Sequence, residues 1–237
     1  MPYKSYKKNI KAAAVMLTAA VMLVSAPAEK CRAVALAVKS ADTHQKVAAL
    51  TFDDGPHAVY TDEILDILAE YGIKATFFVV GENAEKFPEI ITREISEGHE
   101  IGNHTYTHPL DYSSLDGEKV LKEIQLTEEV LNSAAEYRPK LFRPPGGLCG
   151  ETLTGALEHF DYKLILWSVD TRDWERPSPA KIAKTVLNNI KPGSIVLFHD
   201  YVSAKSNTPA ALRIILPKLI EQGYEFVTVS ELLSLTG

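Results

Sequence analysis

VAALTFDDGPH, residues 47–57, is an apolar run that stops at two adjacent aspartates, a Gly-Pro pair and a histidine. The run is short and bounded by turn residues, so it reads as a buried strand over 47–52 followed by a turn. The next segment, TDEILDILAEYG, sets Ile64, Leu65, Ile67 and Leu68 at helical spacing and ends at Gly72. ATFFVV, 75–80, is a second strand. Strand, helix, strand at this spacing is a βαβ unit, whose two strands lie parallel.

The alternation continues outward. HEIGNH (99–104), KLFRP (140–144), KLILWSV (163–169), SIVLFH (194–199) and EFVTVS (225–230) are further strands. Amphipathic segments separate most of them: NAEKFPEIITREISEG ending at Gly98, a helix over 115–134, and SPAKIAKTVLNNI, with Ser178 as N-cap and Pro179 at the first helical position. TPAALRIILPKLIEQG ends at Gly223, with Pro217 as an expected kink. Seven strands alternating with helices predict an α/β protein with a parallel sheet, either open or closed into a barrel. No phosphate-binding glycine fingerprint follows the first strand, which argues against a dinucleotide site.

The chain has 237 residues, enough for one domain with a sizeable core, and 46% hydrophobic with 24% charged residues argues against disorder. Its N-terminus differs from the rest. Lys4, Lys7, Lys8 and Lys11 precede an apolar run over 12–24, then small residues at Ala26 and Ala28. This is the layout of a secretory signal peptide over 1–28, with cleavage as late as 37 from a second site at Ala35 and Ala37; an uncleaved leader would be an N-terminal membrane anchor. Either reading places the folded part outside the cytoplasm, secreted or associated with the cell envelope. Residues 29–44 read as a linker and 45–237 as a single domain. Removing 1–28 takes away four lysines and no acid, so the net charge of −6 becomes −10. An acidic body is a poor nucleic-acid binder, and no stable protein partner is implied. Cys31 and Cys149 would pair in an oxidising compartment if cleavage falls before Cys31.

The polar residues collect at strand ends. Asp53 and Asp54 follow the first strand, His104 ends the third and His108 lies four residues on. Arg143 ends the fourth strand, Asp170 and Asp173 follow the fifth, and His199 and Asp200 end the sixth. Parallel α/β folds place function at the carboxyl ends of their strands. A helical turn across HTYTH would converge two imidazoles on one cation, and either aspartate of the pair would complete a two-His, one-carboxylate zinc set. A cation also explains why two carboxylates stand side by side, since it offsets their repulsion. The other aspartate would then take a proton from water, with Arg143 paired to it. His199 is a second proton carrier, held by Asp170 or Asp173. Trp174 and Leu197 would form an apolar wall.

These residues carry a resemblance. TFDDGPH, HTYTH, RPPGG, DTRDW and LFHD occur in the order found in the polysaccharide deacetylases, the NodB-homology domain of carbohydrate esterase family 4, and the chain resembles that family over roughly 45–235. The resemblance implies a distorted (β/α)7 barrel and metal-dependent removal of acetyl groups from a polysaccharide. It makes Asp53 the general base and Asp54, His104 and His108 the metal ligands, for zinc first, with cobalt or nickel able to substitute. It makes Arg143 the residue that orients and tunes Asp53, and His199 the general acid, supported by Asp173 before Asp170. Pro145 and Gly146 would lie against the substrate, and Trp174 and Leu197 would line the acetyl-methyl pocket. The family's third motif commonly reads R-P-P-Y-G, so Gly146 departs from it; glycine keeps the backbone N–H used in the oxyanion hole and loses the ring. The expected substrate is an N-acetylglucosamine polymer, peptidoglycan before chitooligosaccharide or acetylxylan, with a catalytically inactive glycan-binding barrel as the contrasting reading.

Overall fold

Strand β1 (Val47–Asp53) is buried along its whole length because it has apolar material on both faces. Ala48, Leu50 and Phe52 pack toward the covering helices, whereas Val47 and Ala49 belong to a second cluster inside the sheet's curve. The inward row of β1 then changes character toward its carboxyl end, from Val47 and Ala49 to the buried polar residues Thr51 and Asp53. The computed structural model describes residues 37–110, 116–149, 151–202 and 205–235. The expected leader and Cys31 lie outside these, and Cys149 forms no disulfide among the described residues.

Seven further strands are described: β2 (Thr76–Val79), β3 (Glu100–Asn103), β4 (Leu141–Phe142), β5 (Lys163–Leu164), β6 (Val169–Asp170), β7 (Ile195–His199) and β8 (Glu225–Phe226). Every pairing between these strands is parallel, in the order β5-β4-β3-β2-β1-β7-β6. β5 forms one edge of the sheet, against β4, and β6 forms the other, against β7. The single strand expected over 163–169 is therefore two short ones. Between them the backbone changes partners: Leu166 N–H donates to Val38 and Ser168 N–H to Ile195. One broken segment thus joins both edges of the sheet and curls it into a distorted barrel. The seventh expected strand, 225–230, is also shortened. Only Glu225–Phe226 pairs, against the start of β1, and Thr228 begins a helix instead.

The helices follow from their caps and breakers. α1 (Tyr60–Glu70) buries Ile64, Leu65, Ile67 and Leu68, the predicted stripe. The amphipathic segment expected over 83–98 is broken into α2 (Gly81–Lys86) and α3 (Pro88–Ser96), because Pro88 has no N–H to donate and disfavours helical backbone at Phe87. α4 (Gly117–Ala135) starts at Asp116, whose side chain accepts from Lys119 N. α5 (Glu151–Glu158) was not legible as a helix in the sequence. α6 (Pro179–Asn189) has Ser178 as its cap, as expected, and α7 (Thr208–Glu221) continues through Pro217. α8 (Val229–Ser234) opens with a Thr228–Glu231 capping box and buries Val229 and Leu232 against the inner cluster of Val47 and Ala49. The amino end of the barrel is filled with apolar side chains, and polar groups are left to the carboxyl end. No helix among the described residues is long and apolar enough to cross a membrane.

Candidate metal centre and active site

The carboxyl ends of β1, β3, β4 and β7 deliver Asp53, His104, Arg143 and His199 to one face. Asp53 and His199 are register partners on adjacent strands, so their side chains leave the sheet on the same side. Successive residues of a strand point to opposite faces, yet Asp54 also reaches this face. It does so by leaving the strand in left-handed backbone, φ 77.

Asp54, His104 and His108 each offer a ligand atom, and these atoms lie within 4.8 Å of one another. Asp54 Oδ1 is 3.4 Å from His104 Nε2 and 3.1 Å from His108 Nε2. His104 Nδ1 lies 2.6 Å from the Arg143 carbonyl, which can only accept, so Nδ1 carries the proton and Nε2 offers its lone pair. One carboxylate and two imidazoles, that of His104 with its tautomer fixed, suit a divalent cation. The histidines do not meet through a helical turn. Thr105 and His108 both have left-handed backbone, φ 72 and 55, and the loop is bound by Glu123 of α4, which accepts from Tyr106 N, Thr107 N and Thr107 Oγ1. Burial opposes ionisation of Asp54, but the adjacent imidazoles of His104 and His108 outweigh burial and hold its carboxyl well below the usual range. Burial likewise works against the charged form of His108, and Asp54 overcomes it, raising His108.

Asp53 takes no part in that cluster. Its Oδ1 accepts from Arg143 Nη1 at 2.6 Å, and its Oδ2 lies 3.7 Å from His104 Nε2. Arg143 is fully buried and spends its donors on Thr51 Oγ1 (2.8 Å), Leu166 O (3.1 Å) and Ile165 O (3.4 Å), with its guanidinium 4.0 Å over the Phe78 ring. A guanidinium held by these four hydrogen bonds is a rigid support.

His199 is held from the other side. Asp173 Oδ1 is 2.7 Å from His199 Nδ1, while its Oδ2 accepts from His199 N (2.8 Å) and Thr208 Oγ1 (2.6 Å). Burial alone would lower the His199 pKa; the Asp173 contact overrides it and raises the group to about 9. Asp170 does not reach His199: it is exposed and accepts from Arg172 N.

The metal cluster opens into a cleft of about 640 Å³ lined by Asp54, His108, Val80, Asn83, Trp174 and Tyr201 among others. Trp174 is half exposed there, as a ligand-facing aromatic would be. Leu197 is buried in β7, in register with Thr51 and two residues before His199 on the same face of the strand. Pro145 is buried and Gly146 exposed, with left-handed backbone at φ 61. Added Cβ atoms at Gly146 would meet nothing nearer than Leu148 Cγ at 3.8 Å, so conformation, not space, favours glycine here. Several supporting residues had no role in the sequence reading. Asn83, Glu123 and Thr208 lie outside the motifs and leave no local signal; Asp200 stood beside His199 in LFHD and was the one a motif could have offered.

The polysaccharide deacetylase family model matches residues 40–165. A Bacillus cereus peptidoglycan-N-acetylglucosamine deacetylase is 43% identical over 192 residues, 80% of this chain and 89% of that protein. The solved Bc1960 peptidoglycan N-acetylglucosamine deacetylase, in complex with 4-naphthalen-1-yl-N-oxidanyl-benzamide, is similar with TM-score 0.80 at 41% identity, over 84% of this chain and 93% of that one. A family 4 acetyl xylan esterase from Clostridium thermocellum, in complex with a cobalt ion, is similar with TM-score 0.74 at 38% identity, over 80% of this chain and 91% of that one. The chain therefore belongs to the polysaccharide deacetylases, carbohydrate esterase family 4, a family of metal-dependent hydrolases that deacetylate glycans.

Proposed function

We propose that the protein hydrolyses the acetamide of N-acetylglucosamine units in peptidoglycan, releasing acetate, with zinc held by Asp54, His104 and His108. The observation that carries this reading is the pair of differently held proton carriers beside one ligand cluster: Asp53 on Arg143, and His199 on Asp173. A cation bound there supplies Lewis-acid polarisation of the acetyl carbonyl and acidifies water. Asp53, with Oδ1 fixed by Arg143, uses Oδ2 to take the proton of the attacking water. His199, protonated on both nitrogens and oriented by Asp173, gives its Nε2 proton to the leaving amine. The Gly146 N–H is offered to the developing oxyanion, and Trp174 covers the acetyl end of the cleft. Peptidoglycan as the substrate is supported by the 43% identity to the Bacillus cereus enzyme; chitooligosaccharide and acetylxylan remain the alternatives within the same chemistry. Action outside the cytoplasm is supported by the basic and then apolar N-terminus.

The test is acetate release from peptidoglycan, N-acetylglucosamine oligomers and acetylxylan by metal-stripped protein, before and after adding zinc. Release from peptidoglycan that requires zinc is expected. Asp53→Asn is expected to abolish release while binding zinc stoichiometrically; full activity in that variant refutes the assignment of the base.

A further inference from the structure

We propose that Asp200 is a positioning residue for the metal centre, setting the backbone on both sides of Asp54 and so the direction of its carboxylate. The inference rests on the ligand set proposed above.

Asp54 stands at φ 77, a left-handed conformation that is unfavourable for a residue with a Cβ. Its surroundings must hold it there. The backbone polar groups around it can be followed one at a time. Asp53 O accepts from Asp200 N at 3.2 Å, and Gly55 N donates to Asp200 Oδ1 at 2.9 Å. Asp54 O accepts from Asn83 Nδ2 at 2.8 Å, and Gly55 O accepts from Val80 N at 2.9 Å. Asp200 therefore grips the chain immediately before Asp54 with its own N–H and immediately after it with its carboxylate.

The second carboxylate oxygen extends the grip. Asp200 Oδ2 accepts from Thr61 Oγ1 at 2.6 Å, and that hydroxyl accepts from His57 N at 2.7 Å. One side chain thus closes the turn over 55–57 from both ends. It also explains the glycine of DDGP. A Cβ on Gly55 would fall 2.0 Å from Asp200 Oδ2, so Gly55 leaves the space that the carboxylate occupies. Asp200 is buried, and the side-chain hydrogen bonds it makes go to the turn and to α1, none to Asp53, Asp54 or a histidine. It acts through the backbone of Asp54 and not by touching the reacting atoms.

Asp200→Asn preserves the volume and its oxygen can still accept from Gly55 N–H, but its NH2 then faces Thr61 Oγ1, whose hydroxyl must turn from donor to acceptor, so the charge-assisted contact there is lost. Zinc affinity, measured by competition with a chromophoric chelator well below the melting temperature, is expected to fall about 10–100-fold, as for other residues that orient metal ligands. Thr61→Val leaves the Gly55 contact in place, removes the hydroxyl that bridges Asp200 Oδ2 and His57 N, and is expected to lower affinity in the same direction by less. It also serves if Asp200→Asn does not fold. His104→Ala is the control for the ligand set. Loss of zinc in His104→Ala with wild-type affinity in folded Asp200→Asn and Thr61→Val would overturn the role of Asp200 alone, even if their melting temperatures fall. Wild-type affinity in His104→Ala would overturn the ligand set and this inference with it.

Discussion

Replacing Asp173 by Asn should convert His199 from a group that is protonated at neutral pH into one that mostly is not. Asp173 contributes the leading interaction that raises His199, from 6.5 to about 9, against the opposing effect of burial. The gap corresponds to about 3 kcal/mol of preference for the imidazolium. Asparagine can still accept from His199 Nδ1 through its oxygen, but its NH2 then faces His199 N–H and the Thr208 hydroxyl, both donors in the wild type. His199 should then titrate near or below its ordinary value. If a protonated His199 is required, the protonated fraction at pH 7 falls from nearly all to roughly a quarter, about a fourfold loss, and the gap widens to roughly 80-fold at pH 8.5. The assay pairs an NMR titration of the His199 ring with a pH profile of kcat/KM. The expected result is a fall in the His199 pKa by about 2 or more, with the alkaline limb of the profile moving by the same amount. A His199 that still titrates near 9 in Asp173→Asn, or an alkaline limb that stays put while the NMR value moves, would refute the reasoning.

Arg143→Met leaves Asp53 buried without its cation, which costs about 3–5 kcal/mol and should lower Tm by roughly 6–20 °C in a domain of this size. Adding Asp53→Asn should recover part of that loss; equal melting of the wild type and the single variant would contradict the ion pair's burial. Glu94, fully buried in α3, has neither carboxylate oxygen hydrogen-bonded among the described residues, and burial raises its pKa well above 4.5. The folded state keeps that proton while the unfolded state releases it above about 4.5, so this group costs stability as pH rises. Glu94→Gln should therefore melt higher than wild type at pH 7.5, with the advantage shrinking toward pH 4.5, as read by thermal unfolding at both pH values. An advantage that does not change with pH would argue against an ionisable cost at this position.

Much of the fold was legible because its signals are local. The Ile64–Leu68 stripe, the Ser178 cap and the apolar run of β1 depend on neighbours a few residues away, and each forms as its pattern predicts. The misreadings have equally definite causes. Residues 163–170 look like one strand in sequence, but their pairing switches from β4 to β7 partway along, which depends on where the two sheet edges meet. EFVTVS has the composition of a strand, yet the Thr228–Glu231 capping box and the burial of Val229 against the inner cluster turn most of it into helix.

Residue order supplied the chemistry available: two adjacent carboxylates, two histidines four residues apart, the arginine of RPPGG and a His–Asp pair, all placed at strand ends by a βα alternation. Tertiary structure alone decided how those groups divide the work. In an extended strand Asp53 and Asp54 would point to opposite faces; the left-handed turn at Asp54 brings both within 3.7 Å of His104 Nε2. Asp173 holds His199 and Asp170 does not, because the turn after β6 buries one carboxylate and exposes the other. Residue identity and short-range periodicity are written into neighbouring positions, whereas side-chain direction at a turn is set by hydrogen bonds from chain as distant as Asp200 and Asn83.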